Sequence, residues 1–200
     1  AEWRTGKVVA QLTDGEGYNS EATISPDGKK IVFTSARDGD LELYSMDIDG
    51  SNVKRLTYSP GYDGGAFFSH DGKKIIWRAN RPRGQNLTDY INLLNMGLVE
   101  PVATDMDLYV MDADGQNQRK IITIGGANFS PFFLPDDSGV IFASNMNNGF
   151  NFHLYTVGLD GKNLKQITSE GTFNSFPMFS RDGKYLAFES NRGVHKRHDM

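Results

Sequence analysis

Four residues with side-chain oxygen atoms recur at equivalent places in the sequence and are the first candidates for ligand chemistry. They are Asn19, Asp63, Asn128 and Asn174, each the second residue of a segment that recurs four times. Such oxygen atoms are typical ligands of hard cations, so a ring of them could hold a cation, a water cluster or the basic tip of a partner. The same residue types also begin turns, because they bond to nearby backbone groups. We favour the turn interpretation and keep the four as a candidate binding group.

Two Asp-x-Asp-Gly stretches, beginning at Asp47 and Asp112, resemble the start of a calcium-binding EF-hand loop. The twelfth position of that loop requires a bidentate glutamate. Here that position is Tyr58 or Thr123. The sequence therefore predicts hairpin turns at both places instead of calcium sites.

The four histidines offer little support for a catalytic or metal site. His195 and His198 lie three residues apart in a basic tail, a spacing that could place two imidazoles near one metal on a helix. A terminal tail is more often disordered, so we predict disorder. His70 and His153 have no evident partner in the sequence.

Known catalytic motifs are missing from the sequence. It contains no Gly-x-Ser-x-Gly elbow, no phosphate-binding loop and no cysteine, which excludes a thiolate nucleophile and cysteine-ligated metals. We predict no catalytic residue, no bound metal and no cofactor.

Charge and hydropathy limit the partner classes. The formal net charge is −4 and the basic residues are scattered, which argues against nucleic-acid binding. No apolar run approaches the ~20 residues that cross a bilayer, so no transmembrane segment is predicted. Two hundred residues suit a single domain, and 22 glycines indicate many short strands joined by tight turns.

The elements that must position the candidate residues are repeats. Residues 18–37, 62–81 and 173–192 share one pattern, and residues 127–145 carry a weaker copy. Each copy has a turn aspartate, namely Asp27, Asp71, Asp136 and Asp182. Two of the three intervals between these aspartates fall in the ~40–50 residue range of propeller blades. The remaining interval is longer and indicates an insertion.

Two further motifs follow in phase within the first three repeats. Residues 43–50, 108–115 and 154–161 each begin with Leu-Tyr and end with Gly, and short closing elements stand at 55–57, 120–122 and 166–168. Paired Asp-Gly residues tolerate the positive φ of tight hairpins. Two such turns and the short closing element predict four antiparallel strands in each repeat, joined as a meander. A buried apolar run after each first turn carries an aromatic residue, at Phe33, Trp77, Phe142 or Phe188.

The predicted fold is all-β, a β-propeller of four-stranded antiparallel blades. It has about three whole blades, a half blade and an N-terminal outer strand at Val8 to Thr13. The blades span residues 18–57, 62–122, 127–168 and 173–200, of which the last is incomplete. The whole chain forms one propeller domain in this prediction. In such a domain, the four candidate residues open the innermost strands and ring one mouth of the central channel.

The insertion at residues 82–104 is predicted to contain one or two turns of helix. Tyr90, Leu93 and Leu94 fall on one helical face. Thr88 or Asp89 can cap the start of this helix and Gly97 can end it. Long loops in compact domains often carry function, so this insertion is the most distinctive accessory surface.

The three motifs resemble those of the TolB-like β-propeller repeat family, whose blades carry S-P-D-G-K-x-I-x-F-x-S, L-Y-x-M-D-x-D-G and R-L-T in this order. The resemblance covers nearly the whole chain. It implies an exported protein, periplasmic or secreted, that acts as a non-enzymatic scaffold for protein–protein interaction. It also implies a longer, six-bladed parent protein, of which this chain is a part.

Two enzymatic alternatives remain open at this point. Propellers with similar repeats also form the gating domain of prolyl-oligopeptidase-like serine peptidases, and a propeller lyase could use a metal at the channel mouth. Stabilisation by a metal would favour the lyase, and a hydrolase in the same reading frame would favour the peptidase. Unpaired blade edges also predict self-association, because an open strand edge recruits another strand.

Overall fold

The computed structural model describes residue 2 and residues 4–14, 17–99 and 105–193 of the chain. These residues form four antiparallel sheets arranged as successive blades, with one helix inserted in the second. In each four-stranded sheet the strands pair in chain order, from the innermost to the outermost. No helix in this part of the chain is long and apolar enough to span a bilayer. The protein therefore has the all-β propeller architecture that the repeats predicted.

The strand bounds show the repeat. Blade 1 contains β1 (Asn19–Ile24), β2 (Lys30–Ser35), β3 (Glu42–Asp47) and β4 (Lys54–Arg55). Blade 2 contains β5 (Asp63–Phe68), β6 (Lys74–Ala79), helix α1 (Gln85–Asn95), β7 (Asp107–Asp112) and β8 (Arg119–Lys120). Blade 3 contains β9 (Asn128–Phe133), β10 (Gly139–Ser144), β11 (His153–Gly158) and β12 (Lys165–Gln166), and blade 4 contains β13 (Asn174–Phe179) and β14 (Leu186–Ser190).

The turn aspartates shape the first hairpin of each blade. Asp27 Oδ1 accepts hydrogen bonds from Ser25 Oγ at 2.7 Å and from the backbone N of Lys29 at 3.1 Å. The carboxylates of Asp71 and Asp182 are bonded in the same way in their own blades. The glycine after each of these three aspartates has a φ between 70° and 73°. These contacts are local, which is why the sequence pattern alone predicts the turns.

The second strand of each complete blade is buried on both faces. Phe33, Trp77 and Phe142 are almost fully buried, and each pairs across the strands with a tyrosine at 5.5–6.0 Å between ring centroids. Trp77 packs with residues of blade 1 and Phe142 with residues of blade 2. The apolar cores therefore lie between blades, as expected for a propeller.

Backbone hydrogen bonds join each blade to the one before it. The N–H groups of Asp63, Asn128 and Asn174 donate to the carbonyls of Leu41, Met106 and Phe152 at 2.9–3.1 Å. In every case the donor opens an innermost strand and the acceptor lies in the preceding blade. Because these bonds use only backbone atoms, the joint between blades is independent of residue type.

The predicted N-terminal outer strand is not a strand in the structure. Residues 8–13 pair with no other strand of the described chain. Leu12 nevertheless lies where an outer strand of a preceding blade would lie. A Cβ built on Gly50 would stand 3.1 Å from Leu12 O, just as one on Gly115 would stand 3.1 Å from Leu56 Cδ2. The position was predicted correctly, but the ladder is missing because residues 8–13 have no partner strand to bond to.

Helix α1 differs in its bounds from the predicted one or two turns. It spans eleven residues and begins at Gln85, so Thr88 and Asp89 lie inside it and do not cap it. Gly84, with φ 55°, precedes the helix and makes no side-chain cap. Gly97, with φ 75°, follows the C-cap residue Met96, in agreement with the predicted end. The last part of the insertion, residues 100–104, lies outside the described residues.

Blade 4 ends in an open edge. Among the described residues, β14 pairs only with β13, and its side chains alternate between half-buried and exposed. Blades 1 and 4 do not contact one another through their strands, so the blades do not close into a four-bladed ring. Self-association through this edge stays a prediction.

Candidate functional site

Each innermost strand carries a bulge at the same place, the third residue of the strand. The four bulge residues, Glu21, Gly65, Ser130 and Phe176, have φ values of 55°, 61°, 50° and 51°. Strand register shifts beside each of them. A non-glycine residue in this left-handed region costs about 1–2 kcal/mol. Bulges redirect side chains, and strained backbone tends to occur where function requires it.

Glu21 and Arg78 form the polar part of the site. Arg78 Nη2 donates to Glu21 Oε1 at 2.6 Å and to Tyr62 Oη at 2.7 Å. Glu21 Oε2 accepts from Tyr62 Oη at 2.7 Å and from the backbone N of Gly65 at 2.9 Å. The carboxylate therefore ties blade 1 to blade 2 along the inner wall.

Gly65 makes room for this ion pair. A Cβ at position 65 would lie 2.4 Å from Arg78 Nη1, closer than any real contact. The φ of 61° also favours glycine. The bare backbone here lets the guanidinium reach across the bulge to Glu21.

Two cavities meet at Arg78 and Phe176. One has a volume of about 280 Å³ and lies between the inner strands of all four blades, lined by the four bulge residues together with Phe67, Arg78 and Met178. The other has a volume of about 580 Å³ and is lined by Phe129, Phe152 and Met106, besides the two shared residues. We call the two together the channel site. Of all their lining residues, only Glu21 and Arg78 carry a charge.

Phenylalanine rings form the apolar part of the channel site. Phe129 meets Phe152 at 5.0 Å and Phe176 at 6.0 Å between centroids, both edge to face. Phe176 is 50% exposed although its backbone is strained. Half of this ring is therefore uncovered by the described residues, although its backbone conformation costs stability.

The predicted mouth residues open the four innermost strands, at the same end of each, and bond within the chain. Asn19 Oδ1 accepts from Ser35 Oγ at 2.8 Å, and Asn174 Oδ1 accepts from Ser190 Oγ at 2.8 Å. Asn128 Nδ2 donates to Met106 O at 2.8 Å, while its Oδ1 is buried with no hydrogen-bond partner among the described residues.

The fourth mouth residue, Asp63, is an ion-pair partner. Its carboxylate accepts two hydrogen bonds from Arg81, at 2.7 and 2.9 Å, and one from Trp77 Nε1 at 2.6 Å. Burial raises the pKa of Asp63 to about 6, while the bonds and charge of Arg81 act in the opposite direction. None of the four mouth residues lines the channel site.

A second buried carboxylate lies near Asp63. Glu42, at the start of β3, is fully buried and bonds Arg55 Nη2 through Oε1 at 2.8 Å, whereas its Oε2 has no partner among the described residues. Burial raises the pKa of Glu42 to about 7, and the charge of Asp63 adds to this effect, whereas the hydrogen bond and charge of Arg55 lower it. The joint between blades 1 and 2 therefore brings two carboxylic acids together.

The remaining candidates are the hairpin aspartates and the histidines, and those that the structure describes are engaged in contacts within the chain. Asp47 and Asp112 each accept a short bond from an asparagine of their own hairpin, Asn52 or Asn117. His70 Nδ1 lies 2.9 Å from Asp137 Oδ1. Within the described ranges, no three His, Cys, Asp or Glu residues are placed to hold a metal. His195 and His198 lie outside those ranges.

No motif in the sequence marks the bulge residues. The signal that could have found them is variation at a fixed repeat position. The first strand residue is always Asn or Asp, whereas the third strand residue is Glu, Gly, Ser or Phe in turn. A position that a fold constrains and that still varies between repeats is one where each blade contributes something different.

Comparison with known proteins supports the repeat assignment. Residues 4–95 match the family described as the TolB beta propeller domain. The crystal structure of TolB from Acinetobacter baumannii is similar with a TM-score of 0.71 and 19% identity, covering 92% of this chain and 40% of that one. The putative TolB from Agrobacterium tumefaciens is similar with a TM-score of 0.66 and 23% identity, covering 92% of this chain and 59% of that one.

A curated sequence relative matches a shorter stretch. An uncharacterized protein, Atu1656 of Agrobacterium fabrum, is 43% identical over 47 residues, which are 24% of this chain and 16% of that protein. This chain thus covers less than two thirds of the length of each of these proteins. An acylaminoacyl peptidase and a prolyl endopeptidase are also among the similar structures, at 14% and 18% identity, which indicates a shared fold only. Together with the four sheets and their repeated joints, these findings identify the chain as a β-propeller, with three four-stranded blades and a two-stranded fourth among its described residues, whose residues 4–95 match the TolB beta propeller domain.

Proposed function

We propose that this chain is a non-enzymatic scaffold that binds a partner protein in the channel site. The observation that carries the proposal is Phe176, a large apolar side chain held half exposed on strained backbone beside two cavities. Strain that adds nothing to the core is retained where it prepares a binding surface. Aromatic side chains in such pockets supply much of the affinity of protein interfaces.

The α1 insertion is an accessory surface in this proposal. Tyr90 is buried and donates through its hydroxyl to Asp40 Oδ1 at 2.6 Å, which fixes α1 to blade 1. The same cluster includes Tyr62, whose hydroxyl reaches the Glu21–Arg78 pair, and Met106, which lines the channel site. Ile91, Met96 and Leu98 remain exposed on the insertion. A partner that enters the channel site could therefore also contact α1.

We place the protein in the periplasm or outside the cell, as is typical of TolB-like propellers. The peptidase and lyase alternatives have less support. The channel site contains one acid and one base, already paired with each other, and no histidine, serine nucleophile elbow or acidic cluster lines it.

A peptide-display selection tests the proposal. Peptides selected on the wild-type protein are measured against Phe176→Ala and against Phe150→Ala, a matched control whose ring is 84% exposed and lines neither cavity. We expect at least a tenfold loss of affinity for Phe176→Ala and less than a twofold change for Phe150→Ala. Selected peptides that bind both variants like the wild type, or a selection that yields none, would refute the proposal.

A further inference from the structure

The channel site has no net charge, which restricts what it can bind. Glu21 and Arg78 are its only charged lining residues, and they form an ion pair at 2.6 Å. Both oxygens of Glu21 already accept hydrogen bonds. A ligand carboxylate would lie close to Glu21, and a ligand cation close to Arg78, so either would be desolvated without a free counter-charge.

The Arg78 guanidinium nevertheless has further N–H groups that can donate hydrogen bonds. In the described part of the chain, its hydrogen bonds all leave from Nη2, to Glu21 and Tyr62. Its Nη1 lies along the bare backbone of Gly65, at the wall shared by the cavities. A guanidinium has five N–H groups and accepts none, so Nη1 and Nε can donate to an incoming oxygen. Because Glu21 balances the charge of Arg78, a neutral carbonyl oxygen suits this position.

The rest of the surface suits an apolar side chain. Phe129, Phe152 and Phe176 present ring edges and faces around the cavity of about 580 Å³. Aromatic rings prefer edge-to-face or offset contacts with further rings. Ser130 Oγ, 3.4 Å from Ser175 Oγ, adds a neutral polar group at the wall of the other cavity.

We infer that the channel site selects an uncharged, extended peptide segment, with a backbone carbonyl on Arg78 and an aromatic side chain among the three phenylalanines. This inference rests on the proposed function and specifies its ligand. It also assigns Glu21 a role in selectivity: the carboxylate cancels the charge of Arg78 and so turns away acidic segments. Binding of this kind depends little on salt, because no net charge is neutralised.

Three blocked peptides provide the test: acetyl-Ser-Gly-Phe-Gly-Ser-amide and its counterparts with both serines replaced by Asp or by Lys. Affinities are measured by titration to millimolar concentration, following the backbone amide signals of Gly65 and Phe176 by NMR at 50 and 500 mM NaCl. We expect the serine peptide to bind at least tenfold more tightly than the other two, with less than a twofold effect of salt. Replacement of its Phe by Ala should abolish binding.

The variant Glu21→Gln tests directly whether Glu21 sets the charge preference of the channel site. It leaves Arg78 with an uncancelled charge, so the aspartate peptide should become the tightest ligand by at least fivefold and its affinity should fall with salt. Glu189→Gln, on the exposed face of β14, is the matched control and should leave the preference unchanged. Folding of both variants is checked by their amide spectra.

The outcomes separate this inference from the proposed function. Equal binding of the three peptides to the wild type, or tightest binding of a charged one, would overturn the inference and leave channel recognition standing. The same holds if Glu21→Gln keeps the wild-type preference while remaining folded. If no peptide shifts the Gly65 and Phe176 signals, both the inference and the proposed function fail.

Discussion

The two sides of the channel site are built on the same strand bulge but differ in chemistry. On the side of blades 1 and 2, Glu21, Arg78 and Tyr62 form a closed set of hydrogen bonds across the joint. On the side of blades 3 and 4, Phe129 and Phe176 meet only through ring edges. The polar side is held by directed bonds that a substitution breaks, whereas the apolar side is adaptable and half exposed. The same repeated backbone bulge can therefore support a rigid, hydrogen-bonded side and an adaptable, aromatic side of one site.

The largest expected effect is loss of the ion pair on the polar side. Arg78→Met leaves Glu21 largely buried without its counter-charge, and we expect the free energy of unfolding to fall by roughly 3 kcal/mol. Chemical denaturation measures it. Arg119→Met, at an exposed position of β8, is the control and should change stability by less than about 0.5 kcal/mol. Equal effects of the two substitutions would show that the polar side is no more rigid than the surface.

The pH dependence of the free energy of unfolding reports on the two buried carboxyl groups between blades 1 and 2, Glu42 and Asp63. Glu42 has a folded-state pKa of about 7 against 4.5 as its ordinary value. The folded state thus holds the Glu42 proton more tightly than the unfolded state. The contribution of Glu42 to the free energy of unfolding is therefore fully present below pH 4.5 and is lost as the pH rises through 7. Asp63, with its pKa raised to about 6, acts with the same sign.

Glu42→Gln isolates the first of these groups. We expect the variant to match the wild type near pH 4 and to be more stable by about 2 kcal/mol near pH 8, because it removes the cost of a buried charge. Denaturation curves at both values measure the difference, which includes the loss of charge repulsion between Glu42 and Asp63. A variant that is less stable than the wild type at pH 8 would mean that the ionised Glu42 is well compensated by Arg55.

A pair of glycine substitutions measures how tightly the polar side is packed. Gly65→Ala and Gly97→Ala both force alanine into positive φ, at 61° and 75°. The new methyl group would meet Arg78 Nη1 at 2.4 Å in the first case and nothing within 4 Å in the second. We expect Gly97→Ala to cost about 1 kcal/mol from strain and Gly65→Ala to cost about 1 kcal/mol more from the clash. Thermal or chemical unfolding of both variants gives the difference, and equal costs would mean that Arg78 moves freely.

The smallest expected effect concerns backbone strain on the apolar side. At position 176, glycine should be more stable than alanine by about 1 kcal/mol, because φ is 51° there. At Phe150, which is not among the residues with positive φ, alanine should be the more stable by about 0.5 kcal/mol. The comparison uses Phe176→Gly with Phe176→Ala and the same pair at Phe150. The same order at both positions would argue against strain in β13.

The extent to which the sequence predicts this molecule depends on how local each interaction is. The hairpin at Asp27 is predictable, because its carboxylate bonds a backbone N–H two residues away. The buried run around Trp77 is predictable, because apolar periodicity reports burial. The start of α1 was placed too late because Gly84 begins the helix without a side-chain cap, so no capping residue marks it.

The channel site was beyond that kind of prediction. Each bulge shifts the register by one residue, and after it the alternation of apolar and polar residues no longer says which side chain faces inward. The ion pair of Glu21 with Arg78 joins residues of two blades. Asn19, Asp63, Asn128 and Asn174 were recognised as a repeated set because they share a residue type. The bulge residues share only a backbone conformation, which the sequence does not display.

The bare glycines at the second hairpins allow close approach between successive blades. Gly50, Gly115 and Gly161 each face a residue from the end of the preceding unit, and a Cβ there would stand 3.1, 3.1 and 2.6 Å from Leu12, Leu56 and Ile121 respectively. These contacts lie at the outer hairpins, so a methyl group at one of them would clash there and push the outer edges of two blades apart. Each clash would rotate a blade slightly away from its neighbour, and the rotations would add from blade to blade. Glycine at these three rim positions therefore lets successive blades pack closely, independently of the side chains at the channel site.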